Sequence, residues 1–69
     1  MIDRYVGKKV RLRMGGDPFS NVYDIVCERL VDGRWVFAKG WNSVSDNYAH
    51  GESLRYATDL EGRSNARTF

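Results

Sequence analysis

The pair Asp32-Gly33 sits between two strand-like runs, Glu28-Arg29-Leu30-Val31 and Arg34-Trp35-Val36-Phe37-Ala38-Lys39-Gly40-Trp41, and it restricts the fold more than any other feature. Asp-Gly favours the tight reversal whose central residues take positive φ, which draws the two flanks into an antiparallel hairpin. Both tryptophans of the chain, Trp35 and Trp41, follow that turn, so its geometry decides where they point. A two-residue type I′ turn pairs Leu30 with Trp35, Glu28 with Phe37 and Cys27 with Ala38. Ile25, Cys27, Val36 and Ala38 then share one face, while Trp35, Phe37 and Trp41 share the other with Asp24, Glu28 and Lys39. A three-residue loop with left-handed Gly33 instead sets Leu30 against Arg34, Cys27 against Phe37 and Tyr23 against Trp41, which carries the aromatics inward. Burying a Phe-sized side chain stabilises by about 1.5 to 3 kcal/mol, and large apolar residues are few here. The expectation is therefore that Phe37 and at least one tryptophan enter the core.

Elsewhere the pattern is also of period two. Val10, Leu12 and Met14 alternate with Lys9, Arg11 and Arg13, so the apolar set faces a core and the basic set faces solvent along a first strand, Val6 to Met14. Gly15-Gly16-Asp17-Pro18 is expected to break it and open a loop through Ser20. A second strand runs from Asn21 to Val31, and a third from Trp35 to Trp41. The polar stretch Asn42 to Glu52 reads as an exposed loop with at most a short helical turn. In a fourth strand from Ser53 to about Leu60, Leu54, Tyr56, Thr58 and Leu60 alternate with Ser53, Arg55, Ala57 and Asp59. The basic end, residues 63–69, reads as a mobile tail. The fold class is thus all-β: a single domain over residues 1–62, built as a small, strongly curved antiparallel sheet or partly open barrel of four to five strands.

At 69 residues such a domain buries only about 60% of its unfolded surface. Small domains often compensate with disulfides, metals or association. Cys27 is the only cysteine, which removes an internal disulfide and a Cys-based zinc site, so a homodimer through a β surface is a reasonable route to further burial. With 42% hydrophobic and 29% charged residues the chain has the composition of a globular protein. Its net charge of +2 is too balanced to identify a nucleic-acid binder by charge alone. No run approaches the ~18 apolar residues of a membrane span, and Met1-Ile2-Asp3-Arg4-Tyr5 lacks the apolar stretch of a signal peptide. A cytoplasmic protein is expected, and a lone thiol suits a reducing compartment.

The order of features is a Gly7-Lys8-Lys9-Val10-Arg11-Leu12 strand, a Gly15-Gly16-Asp17-Pro18 loop, a long strand, the Asp32-Gly33 hairpin, a Trp-bearing strand, and a last strand ending Ala57-Thr58-Asp59-Leu60-Glu61. From about Val6 to Glu61 this resembles the small bacterial SH3-like barrels. The resemblance implies a module that binds nucleic acid, binds peptides or inhibits another protein; one plasmid-borne group assembles into dihydrofolate reductases. That group carries Val-Gln-Ile-Tyr in its last long strand, whereas the corresponding stretch here is Ser53-Leu54-Arg55-Tyr56. Without the Gln and Ile, folate binding is disfavoured.

Catalytic chemistry finds little support. Cys27 lies mid-strand as a small core hydrophobe and the only histidine, His50, lies in the expected loop, which makes a poor nucleophile-base pair. Asp46, His50 and Glu52 lack metal-ligand spacing, and Gly15-Gly16 has no phosphate-loop context. No cofactor, metal or catalytic residue is expected. The binding candidates are the basic stripe Lys9, Arg11 and Arg13 with Arg55, and the aromatics Trp35, Trp41 and Tyr48, since Trp, Tyr and Arg dominate protein-binding hot spots. The expected function is a non-enzymatic module docking on a protein partner as a regulator or inhibitor, of the kind that phages and mobile elements carry. The alternative is a nucleic-acid binder in which the stripe contacts phosphate and the aromatics stack on bases.

Overall fold

The computed structural model describes residues 2–17, 19 and 22–66. Four strands, β1 (Ile2–Val6), β2 (Val10–Asp17), β3 (Val22–Val31) and β4 (Arg34–Ser45), precede one helix, α1 (Asp46–Ala66). Sequential neighbours pair antiparallel in the order β1-β2-β3-β4, which leaves β1 and β4 as edges. The small β-rich fold on an antiparallel sheet is as expected, and the sheet does not close. Its radius of gyration, 12.4 Å, exceeds the ~11 Å of a spherical domain of this length, as befits an elongated two-layer body.

Asp32 and Gly33 have φ of 51° and 78°, and Val31 pairs with Arg34 and Leu30 with Trp35. The reversal is thus the two-residue type I′ turn. Three residues later the register shifts: Glu28 pairs with Phe37 but Cys27 pairs with Lys39, leaving Ala38 as an extra residue. A bulge of this kind exchanges the faces of everything beyond it. Trp35 and Phe37 stay on one face, while Trp41, opposite Ile25, turns to the other. One further extra residue lies at Arg4 in β1 and one in β4 where Asn42 and Ser43 together oppose Asp24, so both edge strands are bulged and the central β2–β3 ladder is unbroken.

The core lies on the side covered by α1 and holds Val10, Leu12, Met14, Ile25, Cys27, Trp41 and Ala57. The alternation in β2 and β3 is therefore as the sequence implies. Tyr56 meets Trp41 edge to face at 5.5 Å between ring centroids, and the Lys39 ammonium lies 5.7 Å from the Trp41 ring and 5.8 Å from Tyr56, within cation–π range. Polar ties hold the helix against the β1 side. The Lys9 amide donates to the Glu61 carboxylate at 3.0 and 3.3 Å, and the Arg4 guanidinium donates to His50 Nδ1.

Four expected elements are corrected. Residues 53–60, expected as a strand, are helical, and the expected loop Asn42 to Glu52 is divided between β4 and α1. Ser53, Tyr56, Ala57, Leu60 and Glu61 recur at the three- and four-residue steps of a helix. Ser53 and Ala57 are fully enclosed, with Leu54, Tyr56 and Leu60 packed around the core. Thr58, which a strand would have turned inward, is exposed and donates its hydroxyl to the carbonyls of Leu54 and Arg55 at 3.0 and 3.1 Å. The helix continues through 63–66, part of the expected tail, while 67–69 lie outside the described residues. Finally, Gly15-Gly16 does not end β2, which runs to Asp17 opposite Val22. Gly16 takes φ 137°, and a Cβ there would stand 2.5 Å from the Val22 carbonyl oxygen and 2.8 Å from Tyr23 Cα. The rest of the expected loop, Pro18 and Ser20, lies outside the described residues.

These environments separate the glycines. Gly51 and Gly62 are helical and a Cβ on either meets nothing within 4 Å, so Gly51→Ala and Gly62→Ala should each raise stability by about 0.5 to 1 kcal/mol. Gly16→Ala should lower it. Chemical denaturation of the three variants checks both signs.

Candidate functional site

Because α1 covers one face of the sheet, the other face is open. Pairing across the four strands places Val6, Arg11, Glu28 and Phe37 in one row and Asp3, Arg13, Val26 and Gly40 in the next. Leu30 and Trp35 lie on the same face nearer the hairpin. Phe37 is 66% exposed and Val6 61%. A Cβ added to Gly40 would touch the Phe37 ring at 3.4 Å, so this ring lies over bare backbone.

The charges on this face are arranged in pairs. Arg11 Nε donates to Glu28 Oε1 at 2.7 Å, and its guanidinium lies 4.5 Å from the centroid of the Trp35 ring. Arg13 Nε lies 3.2 Å from Asp3 Oδ1. Trp35 is half-buried beneath Arg11. Bidentate-capable, weakly hydrated guanidinium over an indole is a stiff arrangement that suits partner recognition.

Of the sequence candidates, the structure brings Arg11, Arg13 and Trp35 together. Lys9 is exposed in the turn between β1 and β2. Tyr48 and Arg55 are exposed on α1, the other layer, and so do not join the open face. Trp41 is a core residue at 7% exposure and leaves the candidate set. Phe37, expected in the core, is the most exposed aromatic of the sheet face; the turn keeps it beside Glu28 because the bulge comes one residue later. Val6 and Val26 were not singled out from the sequence, whereas Glu28 and Leu30 already stand opposite Phe37 and Trp35 under the two-residue turn, which the structure adopts. Placing Val6 needed the β1 register.

The groups considered for catalysis are apart. Cys27 is enclosed in the core, and its thiol is pushed from 9.0 up to about 11 by burial and then by the negative Glu28 nearby. His50 is exposed on α1 and bonded to Arg4. Among the described residues no three His, Cys, Asp or Glu side chains gather where a metal could be held, and no helix is long and apolar enough to cross a membrane. The stretch Ser53-Leu54-Arg55-Tyr56, compared above with a reductase strand, lies in α1. No protein-family model, curated protein or solved structure matches this chain.

The thiol supplies a direct check of the packing. Since only thiolate reacts, Cys27 should be modified by a thiol reagent at pH 8 no faster than the protein unfolds; rapid labelling of the native protein would contradict the enclosed core. Its folded value lies above the unfolded one, so its contribution to stability is complete below about 9 and is lost as pH rises through about 11. Cys27→Ala should therefore show a shallower alkaline decline in denaturation midpoint.

Proposed function

We propose that this chain is a non-enzymatic binding module that docks on a protein partner through the open face of its sheet and acts as a regulator or inhibitor. The observation that carries this is the company Phe37 keeps. A two-thirds exposed ring lies on one face with exposed Val6, half-buried Trp35 and the Arg11–Glu28 pair. Aromatic and arginine anchors rimmed by polar groups are what protein interfaces concentrate. A lone cysteine suits a reducing, cytoplasmic setting for such a module.

The nucleic-acid alternative draws on the same arginines but is less well supported. Arg11 and Arg13 each face a carboxylate, Glu28 and Asp3, so the stripe is neutralised where phosphate would have to approach.

The test is capture from a lysate of the source cell. Wild-type protein, and the helix variants Tyr48→Ala and Arg55→Ala, should retain one stoichiometric protein partner. Trp35→Ala and Phe37→Ser should weaken it at least about tenfold, as loss of anchor residues does. Absence of any stoichiometric protein, a second copy of this chain included, or equal loss with the helix variants, would remove the reading; salt-sensitive binding to DNA or RNA instead would favour the alternative.

A further inference from the structure

We infer that the protein seated on the open face is a second copy of this chain, the two sheets packing face to face about a twofold axis that runs along the strands between β2 and β3. This rests on the reading of that face as a protein-docking surface and names its occupant.

The reason is the order of side chains across the central row. From β1 to β4 it reads Val6, Arg11, Glu28, Phe37: apolar, basic, acidic, apolar. A twofold rotation about an axis between β2 and β3 exchanges β2 with β3 and β1 with β4 while leaving position along the strand unchanged. Each Arg11 then meets the other copy's Glu28, and each Val6 meets the other copy's Phe37. The row is complementary to itself, as an isologous interface requires. Arg11 uses Nε on the Glu28 of its own chain, and the guanidinium fork has further N–H donors for a second carboxylate. Two arginines and two glutamates then form a closed ring of alternating charge.

The neighbouring row does not oppose this. In Asp3, Arg13, Val26, Gly40 the same rotation lays the stem of Arg13 over Val26 and brings Asp3 to Gly40, so no like charges are opposed. The Phe37 ring, bedded on Gly40, stands proud where the other copy presents the short side chain of Val6. Strands related by this axis run in the same direction, the aligned geometry of stacked sheets about 10 Å apart.

Size agrees as well. Four strands at about 4.8 Å spacing and seven or eight residues at about 3.3 Å rise give a face of roughly 500 Å² in projection. Side-chain relief raises accessible area above projection, toward the ~800 Å² per partner of a standard interface. The pairing would give the open face the apolar cover that α1 gives the other.

The experiment is sedimentation equilibrium on the full chain. The wild type should approach twice 7.9 kDa well below about 1 mM protein. Arg11→Glu makes the row acidic-acidic and Glu28→Arg makes it basic-basic, so each alone should be monomeric. Mixed in equal amounts they should form a heterodimer, because only the contact between chains is restored while the pair within each chain stays broken. Phe37→Asp, a change at an exposed site, should also give a monomer with unchanged helical circular dichroism. A wild type that stays monomeric to about 1 mM overturns the inference, as does a dimer whose mass is unaffected by Phe37→Asp, or charge variants that do not associate on mixing. In the monomeric case, partner capture that Phe37→Ser still abolishes leaves the docking surface standing with a different occupant, and capture unaffected by it removes both.

Discussion

The register of the β3–β4 hairpin is the constraint from which the rest follows. Asp32 and Gly33 turn the chain in two residues, which by itself would put Trp35, Phe37 and Trp41 on one side of the sheet. One extra residue at Ala38 divides them. Trp41 goes inward to meet Tyr56 from the helix, and Trp35 and Phe37 remain outside with Arg11 and Glu28. Without that residue the core would lose its largest side chain and the open face would gain a third large aromatic ring. A bulge that costs one ladder position thus sets both the packing of the helix and the character of the opposite surface.

The helix is held by shape more than by greasiness. Where α1 comes closest to the sheet it presents Ser53 and Ala57, small enough to let the backbone approach, with Leu54, Tyr56 and Leu60 closing around them. Its polar ties, Glu61 to the Lys9 amide and His50 to Arg4, lie near opposite ends and reach the same side of the sheet. A seam of small residues between larger ones fixes the helix in position even though few side chains of the chain are large.

This also explains what could be read from the sequence and what could not. The strands β2 and β3 announce themselves, since Val10, Leu12, Met14, Ile25 and Cys27 recur at every second position, with Arg11, Arg13, Asp24 and Glu28 among the residues between and beside them, and all are enclosed. The turn is equally plain. The helix is not, because Leu54, Tyr56, Thr58 and Leu60 happen to alternate, Gly51 and Gly62 depress helix propensity, and the inward positions Ser53, Ala57 and Glu61 carry little apolar signal. Packing against the sheet decides which period is used. For the surface, Arg11, Arg13 and Trp35 were legible as residue types, but their assembly with Val6 and Phe37 depends on strand pairing and on a bulge that no local pattern encodes.

The bulges have one more consequence. They occur in β1 and β4, the two edges, while the ladder between β2 and β3 is regular. A straight edge is a template on which sheets grow sideways without limit. Here each rim is kinked, so the broad flat side is the one large regular surface left for a visitor. Contact through that side uses it up, and an assembly begun there stops of its own accord: the architecture favours finite complexes over filaments.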